Sequence, residues 1–134
     1  MLQNDVHRAL GSQDILLMTH LVLGYPSFAV NRQVVKQMAA AGVELIELQI
    51  PFSEPVADGP VIARACQESI ASGTTVEQCL TFASEMARSH PKVAFLLMTY
   101  YNIVFRLGEG GFVDHARRAR IRGLIVPDLP IEEG

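Results

Sequence analysis

The chain has 134 residues, 49% hydrophobic and 19% charged, which suits one compact unit with a sizeable core and excludes a disordered segment. Eleven Lys and Arg against 14 Asp and Glu give a net charge of −3, so no field is available to grip a polyanion and nucleic-acid binding is disfavoured. No stretch reaches the roughly 20 unbroken apolar residues of a membrane span, no basic segment precedes the longest apolar run, and a cytoplasmic location away from any membrane is expected. Cys66 and Cys79 have neither Cys-x-x-Cys spacing nor clustered His, so no metal site is expected, and the two read as buried, inert thiols.

Residues 4–10 suggest a short leading helix, with Val6 and Leu10 one turn apart. Residues 15–23 form a nearly all-apolar run closed by Gly24-Tyr25-Pro26, which predicts a strand buried on both faces and then a turn. Ser27 can cap a helix over 28–41, whose Val30, Val34, Val35 and Met38 recur at helical spacing before Gly42. A second strand over 45–50 ends at Pro51, and the loop 52–60, broken by two further prolines, follows it.

Residues 61–72 and 76–89 carry helical patterns separated by Gly73, with Thr74 or Thr75 able to cap the second. A third strand is expected over 93–99, with Phe95 and Phe105 in the core. Gly108 to Gly111 reads as a loop before a helix over 112–122, on which His115, Arg117, Arg118, Arg120 and Arg122 read as a solvated, basic carboxyl end. A fourth strand is expected over 124–126, and a further helix opens at Ile131. Strand and helix thus alternate about every thirty residues, the pattern of βαβ units around a parallel sheet, so the class is α/β. A (β/α)8 TIM barrel takes about 250 residues. Residues 1–134 therefore read as the N-terminal half of a single barrel domain, about four β/α units, with open edges at the first and fourth strands that favour self-association.

The densest chemistry lies between Glu47 and Pro60. Alternation along the second strand puts Leu45, Glu47 and Gln49 on one face, with Glu47 pointing inward near the strand's carboxyl end. A carboxylate facing a packed interior costs free energy unless partnered, which suits a general acid or base. Asp58, eleven residues on in a wetter loop, could accept a hydrogen bond at the same mouth. Equally, Glu47 could pair with a structural Arg, and Asp58 could make only an Asx turn before Gly59-Pro60.

Glu47-Leu48-Gln49-Ile50-Pro51-Phe52-Ser53-Glu54-Pro55 and Ala57-Asp58-Gly59-Pro60 resemble the signature of the tryptophan synthase alpha-subunit family, in which a strand Glu leads into Ile-Pro-Phe-Ser-acidic-Pro and a loop Ala-Asp-Gly-Pro. Leu23-Gly24-Tyr25-Pro26, the segment Tyr100 to Phe105, and Val126-Pro127-Asp128-Leu129-Pro130 resemble further motifs of that family at matching intervals. The resemblance implies a (β/α)8 lyase of tryptophan biosynthesis that cleaves indole-3-glycerol phosphate into indole and glyceraldehyde 3-phosphate by a retro-aldol reaction. By motif, Glu47 is the acid/base and Asp58 holds the indole N–H, with Tyr100, Asn102 and Asp128 in supporting places near the substrate. Glu54 matches a position facing the beta subunit, the partner expected in an alpha2beta2 heterotetramer. Pyridoxal phosphate belongs to that partner, and this chain is expected to need no cofactor.

Three positions depart from the family pattern: Gln49 stands at a usual glycine, His20 at an aromatic residue and Val22 at a threonine. Gln49 either projects into the substrate space or holds Glu47 by a hydrogen bond, and His20 is either a satisfied core histidine or a group beside the substrate. These departures leave a second reading, a catalytically silent alpha-like subunit that activates a beta subunit, and a third, another phosphosugar lyase or isomerase on the same barrel. Barrels of this kind bind phosphate through loops after the later strands, so the isolated 134-residue chain is expected to lack lyase activity.

Overall fold

The structure is a computed structural model and describes residues 2–133. Four parallel strands, β1 (Met18–Val22), β2 (Leu45–Gln49), β3 (Ala94–Met98) and β4 (Gly123–Ile125), form one sheet in the order β1-β2-β3-β4. Each strand pairs with the next in sequence, with Met18 opposite Leu45, Leu45 opposite Ala94 and Leu96 opposite Gly123. Such single winding is the arrangement of a barrel rather than of an open doubly wound sheet. The chain is α/β and forms a four-stranded arc of a (β/α)8 barrel.

The connections carry the helices. The chain starts with α1 (Leu2–Leu10), β1 leads to α2 (Phe28–Ala40), β2 to α3 (Pro60–Ala71) and α4 (Val76–Ser89), and β3 to α5 (Tyr101–Leu107) and α6 (Glu109–Arg118). Ser27 caps α2 by accepting from Val30 N–H, and Thr75 with Gln78 forms a capping box on α4. One face of the sheet, through Ile46, Leu48, Ile50, Phe95 and Leu97, packs on Val35, Phe82, Met86 and Phe112 of the helices. The opposite, concave face carries Glu47 and Gln49.

Several sequence expectations need correction. β1 is shorter than residues 15–23, with exposed Ile15 and Leu17 ahead of it, and is not buried on both faces: Met18 is 51% exposed and Thr19, His20 and Leu21 are only partly buried, because an edge strand has a neighbour on one side only. Residues 101–107 are helical, and Gly108 at φ +81 is a break between two helices rather than the start of a loop. Phe105 lies on the outer face of α5, 68% exposed, and is not core. The basic helix ends at Arg118, and Arg120 takes a left-handed turn at φ 62. Arg122 is drawn toward α1, 3.6 Å from Asp5.

Candidate active site at the carboxyl ends of the strands

The turn after β1 is fixed by two buried polar side chains. Asn31, 1% exposed on α2, accepts from Gly24 N–H at 2.7 Å and donates to the Tyr25 carbonyl at 2.9 Å and the Val22 carbonyl at 3.3 Å. Ser69 of α3 donates to the Leu23 carbonyl at 2.6 Å. Gly24 sits at φ +78, and a Cβ there would fall 2.2 Å from Thr74 Oγ1 and 2.6 Å from Ser69 Oγ, so the turn needs glycine for both conformation and room. Neither Asn31 nor Ser69 was singled out from the sequence. The available signal was a polar residue on the apolar face of an amphipathic helix.

The loop after β2 is tied to the end of β3. Asp58 N–H donates to the Pro55 carbonyl at 3.1 Å, closing a turn. The Phe52 ring stacks on Tyr100 with centroids 4.9 Å apart and planes 20° from parallel. Tyr100, 1% exposed, accepts from Ala57 N–H at 3.0 Å and donates its hydroxyl to Asp58 Oδ2 at 3.2 Å. Burial, countered in part by the Ala57 N–H and reinforced by neighbouring Asp58, raises the Tyr100 phenol above its ordinary value, so it remains a donor at neutral pH.

Gln49 is fully buried and joins β1 to this loop. Its Nε2 lies 2.7 Å from Asp58 Oδ2 and 3.6 Å from Cys66 Sγ, and its Oε1 lies 2.7 Å from His20 Nε2. Gln49 therefore holds Asp58, and the option that it holds Glu47 is not what the structure contains. His20 is likewise partnered rather than free. The turn at Asp58 is closed by its own backbone N–H and is not the Asx turn expected, because Pro60 has no N–H for the side chain to accept; the carboxylate instead takes two side-chain donors on Oδ2 and has no protein donor on Oδ1 among the described residues.

Glu47 lies in register between His20 and Leu96, half-buried on the concave face. Among the described residues no cation lies within ion-pair distance of it, so the structural Arg partner is absent there. Asn102, in the first turn of α5, and Glu54, in the loop, are both exposed. Asp128, also exposed, accepts from Tyr101 N–H at 2.8 Å and so caps α5 from the loop after β4. The structure brings together His20, Gln49, Asp58 and Tyr100 by hydrogen bonds, puts Glu47 beside His20, and leaves Asn102 and Glu54 outside that network. Burial pushes the Cys66 thiol up and the Cys79 thiol to about 12, matching the inert thiols expected.

Among the described residues no three His, Cys, Asp or Glu side chains are placed to hold a metal ion. A recess of about 470 Å³ lies at the opposite, amino ends of β2 and β3 beneath α1, lined by Asp5, Glu44, Lys92 and Arg122, and contains neither Glu47 nor Asp58. No helix among the described residues is long and apolar enough to cross a membrane.

A family profile described as tryptophan synthase alpha chain matches residues 7–134. The chain belongs to the tryptophan synthase alpha chain family. The family's member from Desulfotalea psychrophila is 65% identical over 122 residues, covering 91% of this chain and 48% of that protein. The member from Syntrophotalea carbinolica is 50% identical over 133 residues, covering 99% of this chain and 52% of its own length. A crystal structure of tryptophan synthase subunit alpha from Legionella pneumophila superposes with a TM-score of 0.91 at 27% identity, over 98% of this chain and 50% of that one. The chain thus spans about half the length of the curated relatives it matches, and the four-stranded arc corresponds to half of the alpha-chain barrel.

Proposed function

We propose that this chain supplies the catalytic carboxylates of an indole-3-glycerol-phosphate lyase, the alpha reaction of tryptophan synthase. The observation that carries the reading is Asp58, clamped on Oδ2 by Gln49 and Tyr100 at the mouth of the strands that bear Glu47. In the retro-aldol step a proton reaches indole C3, the bond from C3 to the glycerol carbon breaks, and that carbon's hydroxyl loses its proton as the aldehyde forms. Glu47, without a fixed partner, is the group that gives and takes these protons. Asp58 accepts the indole N–H on Oδ1 and stabilises the positive tautomer that C3 protonation creates.

The phosphate is held by loops of the second barrel half and a helix amino terminus, so cleavage requires a complete barrel. Tyr100 and Asp128 act by holding the loop and α5 in place, and exposed Asn102 and Glu54 are available to substrate and to a beta subunit. That partner carries pyridoxal phosphate and consumes the indole in an alpha2beta2 assembly in the cytoplasm. This chain itself brings no cofactor.

One observation favours a second reading, an alpha-like chain that activates a beta subunit without turning over substrate: the Gln49 amide fills space on the concave face beside Asp58. Indole release by the full-length protein containing this chain decides between them. The lyase reading expects release that falls on the order of a hundredfold or more in Glu47→Gln, the scale of a lost general acid/base, and that also falls in Asp58→Asn. Stimulation of the beta subunit with no indole released would instead establish the second reading.

A further inference from the structure

We propose that His20 is a positioning residue for Asp58, acting through the Gln49 amide. The inference takes from the lyase reading what Asp58 does, and rests on geometry alone for how Asp58 is held. The Asp58 carboxylate accepts hydrogen bonds, so the Gln49 atom 2.7 Å from Oδ2 is the amide nitrogen. The amide oxygen then faces His20 Nε2, also at 2.7 Å, and the imidazole must carry its proton on that nitrogen. The donors therefore run one way, from His20 to Gln49 and from Gln49 to Asp58, and Tyr100 adds a second donor to the same oxygen.

Gln49 is 0% exposed, so water cannot stand in for either of its partners. A flipped amide would press its oxygen against the carboxylate and its NH2 against His20, leaving a buried acceptor pair facing each other. That acceptor pair already disfavours the flip, and the His20 Nε2–H, which would face the NH2 donor to donor, disfavours it further. With both donors gathered on Oδ2, the carboxylate is fixed in rotation and Oδ1 is directed to the indole N–H. His20 also stands in register with Glu47 on the neighbouring strand, so the same residue neighbours one carboxylate along the sheet and reaches the other through Gln49.

The test uses the full-length protein containing this chain. His20→Phe removes the donor and is expected to lower kcat for indole release about 5- to 10-fold with KM nearly unchanged, the worth of one buried neutral hydrogen bond expressed as the cation forms. His20→Gln keeps an N–H donor and is expected to restore most of that loss, which a mere packing role would not predict. In an Asp58→Asn background His20→Phe is expected to add little. Equal activity of His20→Phe and wild type, or equal loss in His20→Phe and His20→Gln, overturns the proposal.

Long-range proton–nitrogen spectra of the imidazole give a readout independent of turnover. They are expected to show the Nε2–H tautomer of neutral His20, lost or shifted in Gln49→Leu. An Nδ1–H tautomer would refute the chain of donors even in an active enzyme. A wild type that releases no indole but shows Nε2–H, perturbed by Gln49→Leu, sinks the lyase reading while leaving the hydrogen-bond chain standing.

Discussion

Replacing Tyr100 by Phe keeps a ring that is 1% exposed and stacked on Phe52, and removes only the oxygen. Two bonds disappear, the 3.0 Å bond from Ala57 N–H and the 3.2 Å bond to Asp58 Oδ2. A neutral bond contributes about 0.5–1.5 kcal/mol and one to a charged group about 1.5–3 kcal/mol. The second is long and Ala57 is exposed enough for water to replace its partner, so the low end applies and the loop loses about 1.5–2 kcal/mol of anchoring. That corresponds to a roughly 10- to 30-fold increase in local opening, read as faster amide exchange at Ala57, while amides in β2 and β3 keep their protection. Exchange at Ala57 within about twofold of wild type would refute the account and assign the loop's order to the Pro55–Asp58 turn alone. The phenol also gives the anchoring a pH limit. Its folded pKa is raised above the ordinary 10.0, so the folded state binds that proton more tightly than the unfolded state. The contribution is complete below about pH 10 and is lost as pH rises through the folded value. Wild type therefore loses loop protection at alkaline pH, and Tyr100→Phe, already without it, does not.

Asn31→Ala leaves Gly24 N–H and the Val22 and Tyr25 carbonyls without their side-chain partner, and is expected to cost about 3 kcal/mol in urea unfolding of the full-length protein. Gly24→Ala forces a Cβ to 2.2 Å from Thr74 Oγ1 at φ +78, so a loss of about 2–5 kcal/mol is expected from strain and overpacking together. Thr74→Ala in the same chain should recover part of it. Cys79, with its thiol at about 12, and Cys66, also raised, should resist a thiol reagent at pH 8 in the native protein and react in denaturant. Rapid native labelling of either would show that the core opens more readily than its packing indicates.

The parallel α/β class, the order of four strands and the loop carrying Asp58 were legible because apolar runs, caps and prolines are local signals. α5 was not, because its amino end is capped by Asp128, 27 residues away, while Tyr100 offers no side-chain cap of its own. Phe105 was misplaced in the core for a related reason: once residues 101–107 are helical, its side chain lies on the outer face of α5. The exposure of Met18 depends on which strand is an edge, a tertiary fact that composition does not record. At the site, residue types marked Glu47 and Asp58, but the partner of Gln49 turned on which neighbour its amide met, and only three-dimensional placement decides that.

The division of labour proposed for the two carboxylates rests on their partners. A group that must gain and lose a proton within one turnover is hindered by fixed donors that suit only one of its protonation states. Asp58 has two such donors, from Gln49 and Tyr100, and is therefore built to hold a charge in place. Glu47 stands half-buried on the concave face, with no cation within ion-pair distance among the described residues, which suits the acid/base role proposed for it. Strands β1 to β4 line it from one side only. A covering second barrel half would exclude water from around Glu47 and strengthen its interaction with a developing charge, while Asp58, already fixed by bonds within this half, would change little. Joining the halves should therefore alter the behaviour of Glu47 far more than the geometry of Asp58, and spectra of the Gln49 amide in the separate and joined chains should coincide if this asymmetry is real.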